Sequence, residues 1–147
     1  MNEDVLYRLK VLLKESNCHI GHCKEDHSSF DLGFKTKSDS CFNAQRFPGA
    51  NFVWLTTVVA TDSFRSEYII SHLADVALGC RRLGCNSIAT TSEETINIEI
   101  GLSLYFSCMQ YYALNEMLET LSAAQEVTRT ILGNPLTNDR EAKDGHP

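Results

Sequence analysis

The chain has 147 residues, of which 43% are hydrophobic, and its formal net charge is -6. This size predicts one domain with a buried core. The acidic balance argues against nucleic-acid binding, because phosphate contacts need clustered Lys and Arg. No stretch approaches the ~20 apolar residues of a membrane span, and the start, MNEDVLYRLK, is unlike a secretory signal. We therefore expect a cytoplasmic protein with no nucleic-acid or membrane partner, whose six cysteines are thiols.

The first third of the chain predicts one helix and a hairpin. Apolar residues recur at helical spacing over about residues 3–15. Two strands are predicted next, around CHIGHC and FDLGFKTK, joined by the turn-rich segment KEDHSS. The following segment, KSDSCFNAQRFPGA, has the composition of a polar loop.

A third strand and a long helix are predicted in the middle of the chain. The segment NFVWLTTVVA, residues 51–60, is β-branched and aromatic on both faces. This composition predicts a strand that is buried on both sides, with Trp54 in the core. Asp62 or Ser63 offers an N-cap for the helix that follows, and Gly84 offers its C-cap.

The last third predicts two strands and a closing helix. The segment TINIEIGLSLYF alternates strictly between apolar and polar residues, which predicts a long, half-buried antiparallel strand. Before it, NSIATTSEE predicts a shorter strand and a turn. A helix is expected over about residues 110–132.

Together these elements predict an α+β fold. Their order is α-β-β-β-α-β-β-α, with a single antiparallel β-sheet and helices packed on one face. We expect this domain to cover residues 1–132. Residues 133–147 are rich in Gly, Pro, Asn and charge, which predicts a flexible C-terminal tail.

The segment CHIGHCKEDH, residues 18–27, carries the side chains of a metal site. On a strand, His19 and Cys23 share a face but lie roughly 13 Å apart at ~3.3 Å per residue, which is too far to bind one ion. His22 would then face the opposite side. On a helix these three side chains would converge, but Gly21 weakens a helix there. We therefore predict no metal ligand and keep a metal- or redox-sensing role of this segment as an alternative.

No residue pattern predicts catalysis. Cys80 lies on an apolar helical stripe and is expected in the core, while Cys85 is the more reactive candidate without a marked base beside it. Asn97, Glu99 and Tyr105 share the polar face of the long strand and could line a groove, although a solvated face is the preferred interpretation. The phosphate-loop and nucleophile motifs are absent from the sequence. We therefore predict a protein that is not an enzyme, with no catalytic residue and no cofactor.

The order and length of the elements over residues 51–132 carry a family resemblance. The strand NFVWLTTVVA leads to the helix SEYIISHLADVALGCRRLG, the strand pair lies in CNSIATTSEETINIEIGLSLYF, and ALNEMLETLSAAQEVTRTIL closes the fold. This pattern resembles the type III secretion chaperone-like fold, which small effector chaperones share with YbjN-type domains.

The resemblance implies a non-catalytic protein-binding module. In the secretion chaperones, apolar patches hold an extended segment of a partner protein, and a helix between strands contributes to a homodimer. Here that helix would span residues 63–83. A regulatory domain of the YbjN type is the alternative that the same resemblance implies.

Overall fold

The computed structural model describes residues 2–62, 66–91 and 95–133. Within these ranges the chain forms four helices, six strands and one 3-10 turn. In chain order they are α1 (Asn2–Glu15), β1 (His19–Glu25), β2 (Phe30–Lys35), β3 (Cys41–Arg46), β4 (Phe52–Asp62), α2 (Ser66–Ser71), α3 (Leu73–Arg82), β5 (Asn86–Thr91), β6 (Thr95–Tyr105), a 3-10 turn (Phe106–Cys108) and α4 (Tyr111–Ile131).

The strands form one sheet of six strands in the order β1-β2-β3-β4-β6-β5. The neighbours β1 and β2, β2 and β3, and β3 and β4 pair in antiparallel register. The predicted α+β fold with a single antiparallel sheet is therefore confirmed. Strands β1 and β5 are the two edges of the sheet.

Strand β3 is the element that the sequence analysis missed. It lies in the segment predicted as a polar loop, but its buried Phe42 and Ala44 alternate with the half-exposed Asn43 and Gln45. Pairing with β2 on one side and β4 on the other places these residues on a pleated surface. Neighbouring strands thus outweigh the low strand propensity of a polar composition.

The predicted long helix is divided into α2 and α3, with His72 between them. Gly84 follows the C-cap Leu83 and has a φ angle of +81°, so the predicted glycine end of the helix is confirmed. The side chains of Asp62 and Ser63, which were predicted as N-caps, lie outside the described residues. The same is true of the predicted tail beyond Gly133.

Strand β4 differs from its prediction because only one of its faces is fully buried. Val53, Leu55 and Val59 are buried, whereas Trp54 is half-buried and Val58 is 48% exposed. Short apolar runs do not reveal whether one or both faces of a strand are covered. The assignment of Trp54 to the core is therefore wrong.

The chain divides into two compact units. Unit 1 comprises residues 1–57 and 101–122, and unit 2 comprises residues 58–100 and 123–147. Each unit buries apolar side chains of its own. In unit 1 these include Leu6, Leu9, Leu13, Phe30, Leu32, Phe34, Leu55, Leu114 and Leu118, and in unit 2 they include Ile69, Val76, Ile96, Ile98, Ile100 and Leu132.

A buried arginine ties three elements of unit 1 together. Arg46 is only 8% exposed, and its Nη1 donates to Oδ1 of Asn2 at 2.9 Å. Its guanidinium lies 5.1 Å from the ring centroid of Phe106. Asn2 in turn donates to the backbone oxygens of Asp26 and Ser29, in the turn between β1 and β2. The start of α1 is thus linked to β3 and to that turn.

In unit 2, helix α3 approaches α4 closely at a glycine. A Cβ atom on Gly79 would lie 2.8 Å from Cγ1 of Val127, so the absence of a side chain permits the contact. One residue further, Sγ of Cys80 lies 3.5 Å from Oγ1 of Thr128. No helix in the described ranges combines the length and the apolar character that crossing a membrane would require.

Candidate functional site

The Cys/His-rich segment forms β1, an edge strand with a β-bulge. Ile20 pairs with Phe34 and Cys23 pairs with Leu32, so Gly21 and His22 together oppose the single residue Gly33. Two residues opposite one is the definition of a bulge, and bulges redirect the side chains that they carry.

The bulge reverses the predicted orientation of His22. Regular alternation would place the side chains of His22 and His19 on opposite faces of the strand. Instead, the imidazole lies over Gly33, where an added Cβ would be 2.3 Å from its Cε1 atom. Cys23 moves to the register of the buried Leu32. In the part of the chain that the structure describes, no three His, Cys, Asp or Glu side chains are gathered as a metal ion would require.

His22 forms part of a hydrogen-bonded cluster centred on Asp31. Its Nε2 lies 3.2 Å from Oδ1 of Asp31. Gln45 donates from Nε2 to Oδ2 of the same carboxylate at 3.0 Å, and Asn43 is a further side-chain partner. One carboxylate on β2 is thus held by side chains from the strands on both sides.

The cluster changes the acidity of Asp31. Partial burial by itself would raise the pKa of this carboxyl, but the hydrogen bonds from Gln45, His22 and Asn43 outweigh it and lower the pKa overall. Asp31 is therefore an ionised hydrogen-bond acceptor at neutral pH.

A second ring lies flat on the same side of the sheet. Trp54 pairs with Gln45 across the strands, and its indole covers Gly101 of β6, where an added Cβ would be 2.3 Å from Cζ2. Next to it, the rings of Phe52 and Tyr105 are tilted against each other with centroids 5.9 Å apart. We call the surface formed by His22, Asp31, Asn43, Gln45 and Trp54 the open face of unit 1.

Sequence reasoning missed the open face because it treated β3 as a loop. The signal that could have revealed it is the alternation of apolar residues with polar residues or glycine in FDLGFK and CFNAQR. Paired in register, these two strands place Asp31 opposite Gln45 and Gly33 opposite Asn43. The polar members of both strands then share one face.

The cysteines fall into a buried group and an exposed group. Cys80 is fully buried, so its predicted place in the core is confirmed. Cys85 is also buried, and burial together with the neighbouring Cys80 raises the pKa of its thiol to about 11. The prediction that Cys85 is the more reactive thiol is therefore wrong, because a protonated, buried thiol is a poor nucleophile. The exposed cysteines of the described residues are Cys23, Cys41 and Cys108.

The polar residues predicted on β6 lie in different units. Asn97 and Glu99 are half-buried in unit 2, and Tyr105 is exposed in unit 1 against Phe52. A groove lined by these side chains stays a prediction.

Unit 2 presents an exposed edge strand. Every side chain of β5 except that of Ser87 is exposed, and Ile88 is 56% exposed. The strand sequence, NSIATT, contains no charged residue. An edge strand of this kind offers backbone N–H and C=O groups to another chain.

Helix α3 precedes β5 and exposes a second apolar surface. Ala74, Ala77 and Leu78 are exposed, and Ala74 and Leu78 lie on the side opposite to the buried Val76 and Cys80. Acidic Asp75 lies in the first turn of the helix and two arginines lie in the last.

No protein-family model matches the chain, and no curated protein matches it in sequence. In structure, the chain is similar to an uncharacterized protein from Methanothermobacter thermautotrophicus. The TM-score is 0.70 with 12% sequence identity, over 89% of this chain and 99% of that one. The similarity shows that the two proteins share a fold.

Proposed function

We propose that the chain is a cytoplasmic, non-catalytic protein-binding module that holds an extended segment of a partner protein. The observation that carries this proposal is the exposed, uncharged edge strand β5 in unit 2. The role is the one implied by the resemblance to the secretion chaperones, and a YbjN-type regulatory domain would use the same edge for a different partner.

Strand addition at β5 follows from the physics of an edge. The outer backbone groups of an edge strand have no partner in their own sheet, so an extended peptide can pair with them. Such pairing supplies affinity through main-chain hydrogen bonds, while side-chain contacts select the sequence. The exposed side chain of Ile88 offers an apolar side-chain contact to such a peptide.

A homodimer is the second part of the proposal, and the surface of α3 supports it. The exposed apolar strip of α3 consists of Ala74, Ala77 and Leu78. The two alanine side chains are small enough to let a second helix pack closely. If two copies of α3 pair in antiparallel fashion, Asp75 of each copy lies toward the arginine-rich end of the other. The helix is thus self-complementary in charge as well as apolar, as an isologous interface requires.

The test of strand addition uses a library of displayed ten-residue peptides. We expect selected peptides to lose at least about tenfold in affinity when Ile88→Lys places a charge on the edge. Val58→Lys is the matched control, because Val58 is a similarly exposed, β-branched strand residue on an inner strand. Equal binding of the peptides to Ile88→Lys and to the wild-type protein would contradict the proposal.

The test of the homodimer is sedimentation equilibrium. We expect the mass of a dimer for the wild-type protein and the mass of a monomer for Leu78→Glu. Tyr112→Glu, which changes an 82% exposed side chain on α4, should leave the dimer intact. A monomeric wild-type protein at about 100 µM would contradict the dimer without affecting the peptide experiment.

A further inference from the structure

Two rings on the open face lie directly on glycines of the sheet. His22 covers Gly33 on β2, and Trp54 covers Gly101 on β6. Because a glycine has no side chain, each ring can lie directly against the backbone of the sheet. The two glycines are three strand positions apart, which is roughly 14 Å at about 4.8 Å per strand.

Between the rings, the open face carries two planar side-chain amides, which can both donate and accept hydrogen bonds. Asn43 and Gln45 each use an amide N–H on Asp31, which leaves a carbonyl oxygen and a second N–H on each amide. The contacts to Asp31 also fix the orientation of the amides. Hydroxyl groups, which donate and accept at once, match such a surface better than a purely acceptor or purely donor ligand does.

The charges around the open face favour a neutral ligand. The ionised Asp31 at its centre opposes an anion. Two lysines oppose a cation. Lys24 lies on β1 directly opposite Asp31, and Lys35 lies on β2 four residues after Asp31. The cluster is also closed to strand addition, because β2, β3 and β4 are inner strands with neighbours on both sides. Binding there must come from the side chains.

We propose that the open face binds a neutral carbohydrate chain. The apolar C–H faces of sugar rings would stack on Trp54 and His22, as aromatic rings stack on apolar ligand surfaces. Vicinal hydroxyls would pair with the amides of Asn43 and Gln45 and with the carboxylate of Asp31. The spacing of the two rings suits an oligosaccharide rather than one sugar. This site is separate from the β5 edge and assigns the chain a second kind of ligand.

The test uses the single tryptophan of the chain as its reporter. Soluble cello-, malto-, xylo- and chito-oligosaccharides of three to six sugars are titrated while Trp54 emission is recorded, with saturation-transfer NMR on the sugar as an independent signal. At least one series should give saturable binding. Gln45→Ala and Asp31→Ala, both at half-exposed positions, should weaken it at least about tenfold. Ile88→Lys, on the β5 edge, should bind the sugar like the wild-type protein.

Three results would overturn the proposal. The first is no saturable binding of any series up to about 10 mM by either signal. The second is equal affinity of the wild-type protein and Gln45→Ala. The third is saturable binding of adenosine alone, which would show that the open face takes a flat nucleoside base and not a sugar chain. None of these results bears on peptide binding at β5.

Discussion

The two edge strands of the sheet expose their backbones in different ways. β1 carries a bulge at Gly21 and His22 and the charged residues Lys24 and Glu25. β5 is uncharged over its whole length. Bulges and charges are the means by which proteins prevent unwanted strand pairing at an edge. The comparison indicates that β1 carries charges that oppose strand pairing and that β5 lacks them.

The difference also separates two ways of binding. At β1 the bulge adds His22 to the open face, because it directs this side chain over Gly33 toward Asp31. In our proposal this surface binds through fixed side chains. The binding groups that we propose at β5 are those of the backbone, and the side chains, Ile88 above all, are secondary.

The largest predicted effect is a difference in thiol reactivity between the two edges. Cys23 lies exposed on β1, whereas Cys85, directly before β5, is buried with a pKa raised to about 11. We expect Cys23 to be alkylated at pH 8 at least about a hundred times faster than Cys85, because the thiolate is the reacting species. Mass spectrometry of peptides after timed labelling measures both rates.

Two built-in controls accompany this measurement. Cys108 is also exposed and should react like Cys23, and Cys80 is buried and should be protected like Cys85. Comparable rates for Cys23 and Cys85 in the folded protein would contradict the burial of the residues that lead into β5.

The second prediction tests how the two rings fit on the open face. In Gly101→Ala the new Cβ would lie within 2.7 Å of three atoms of the half-buried Trp54 indole. The indole must move, so the variant should lower the free energy of unfolding by about 1–3 kcal/mol. Gly33→Ala meets only the exposed end of His22, which can rotate away, so the loss should stay within about 0.5 kcal/mol. Urea denaturation of both variants measures the difference. A larger loss for Gly33→Ala would show that the bulge is held in place by His22.

The smallest predicted effect is the pH dependence contributed by Asp31. Its pKa in the folded protein is lowered from 3.8, so its ionised form stabilises the fold above that value, and the contribution is lost as the pH falls through the folded pKa. Asp31→Asn should therefore be less stable at neutral pH, with a deficit that shrinks below about pH 4. Because the side chain is 40% exposed, solvent screens the effect to less than about 1 kcal/mol. A deficit that stays constant from pH 6 to pH 2 would exclude this origin.

Strong periodicity made part of the fold predictable. In β6 the buried Ile96, Ile98 and Ile100 alternate with half-buried residues, as the sequence indicated. The glycine end of α3 and the burial of Cys80 followed from equally local signals. Such features depend only on residues that are near in sequence.

The open face was not predictable in this way because it depends on pairing between strands. The bulge in β1 shifts the alternation by one residue, and only the register with β2 reveals it. β3 has a polar composition and becomes a strand through its two neighbours. The position of Trp54 depends on Gly101, which is distant in the chain but adjacent in the sheet.

The central claim, that β5 is the edge that accepts a partner, is tested most directly by amide hydrogen exchange. The measurement compares the free protein with its complex with a selected peptide. We expect exchange to slow in Asn86–Thr91 and to stay unchanged in His19–Glu25. Protection that arises in β1, or in neither edge strand while the peptide is bound, would contradict the claim.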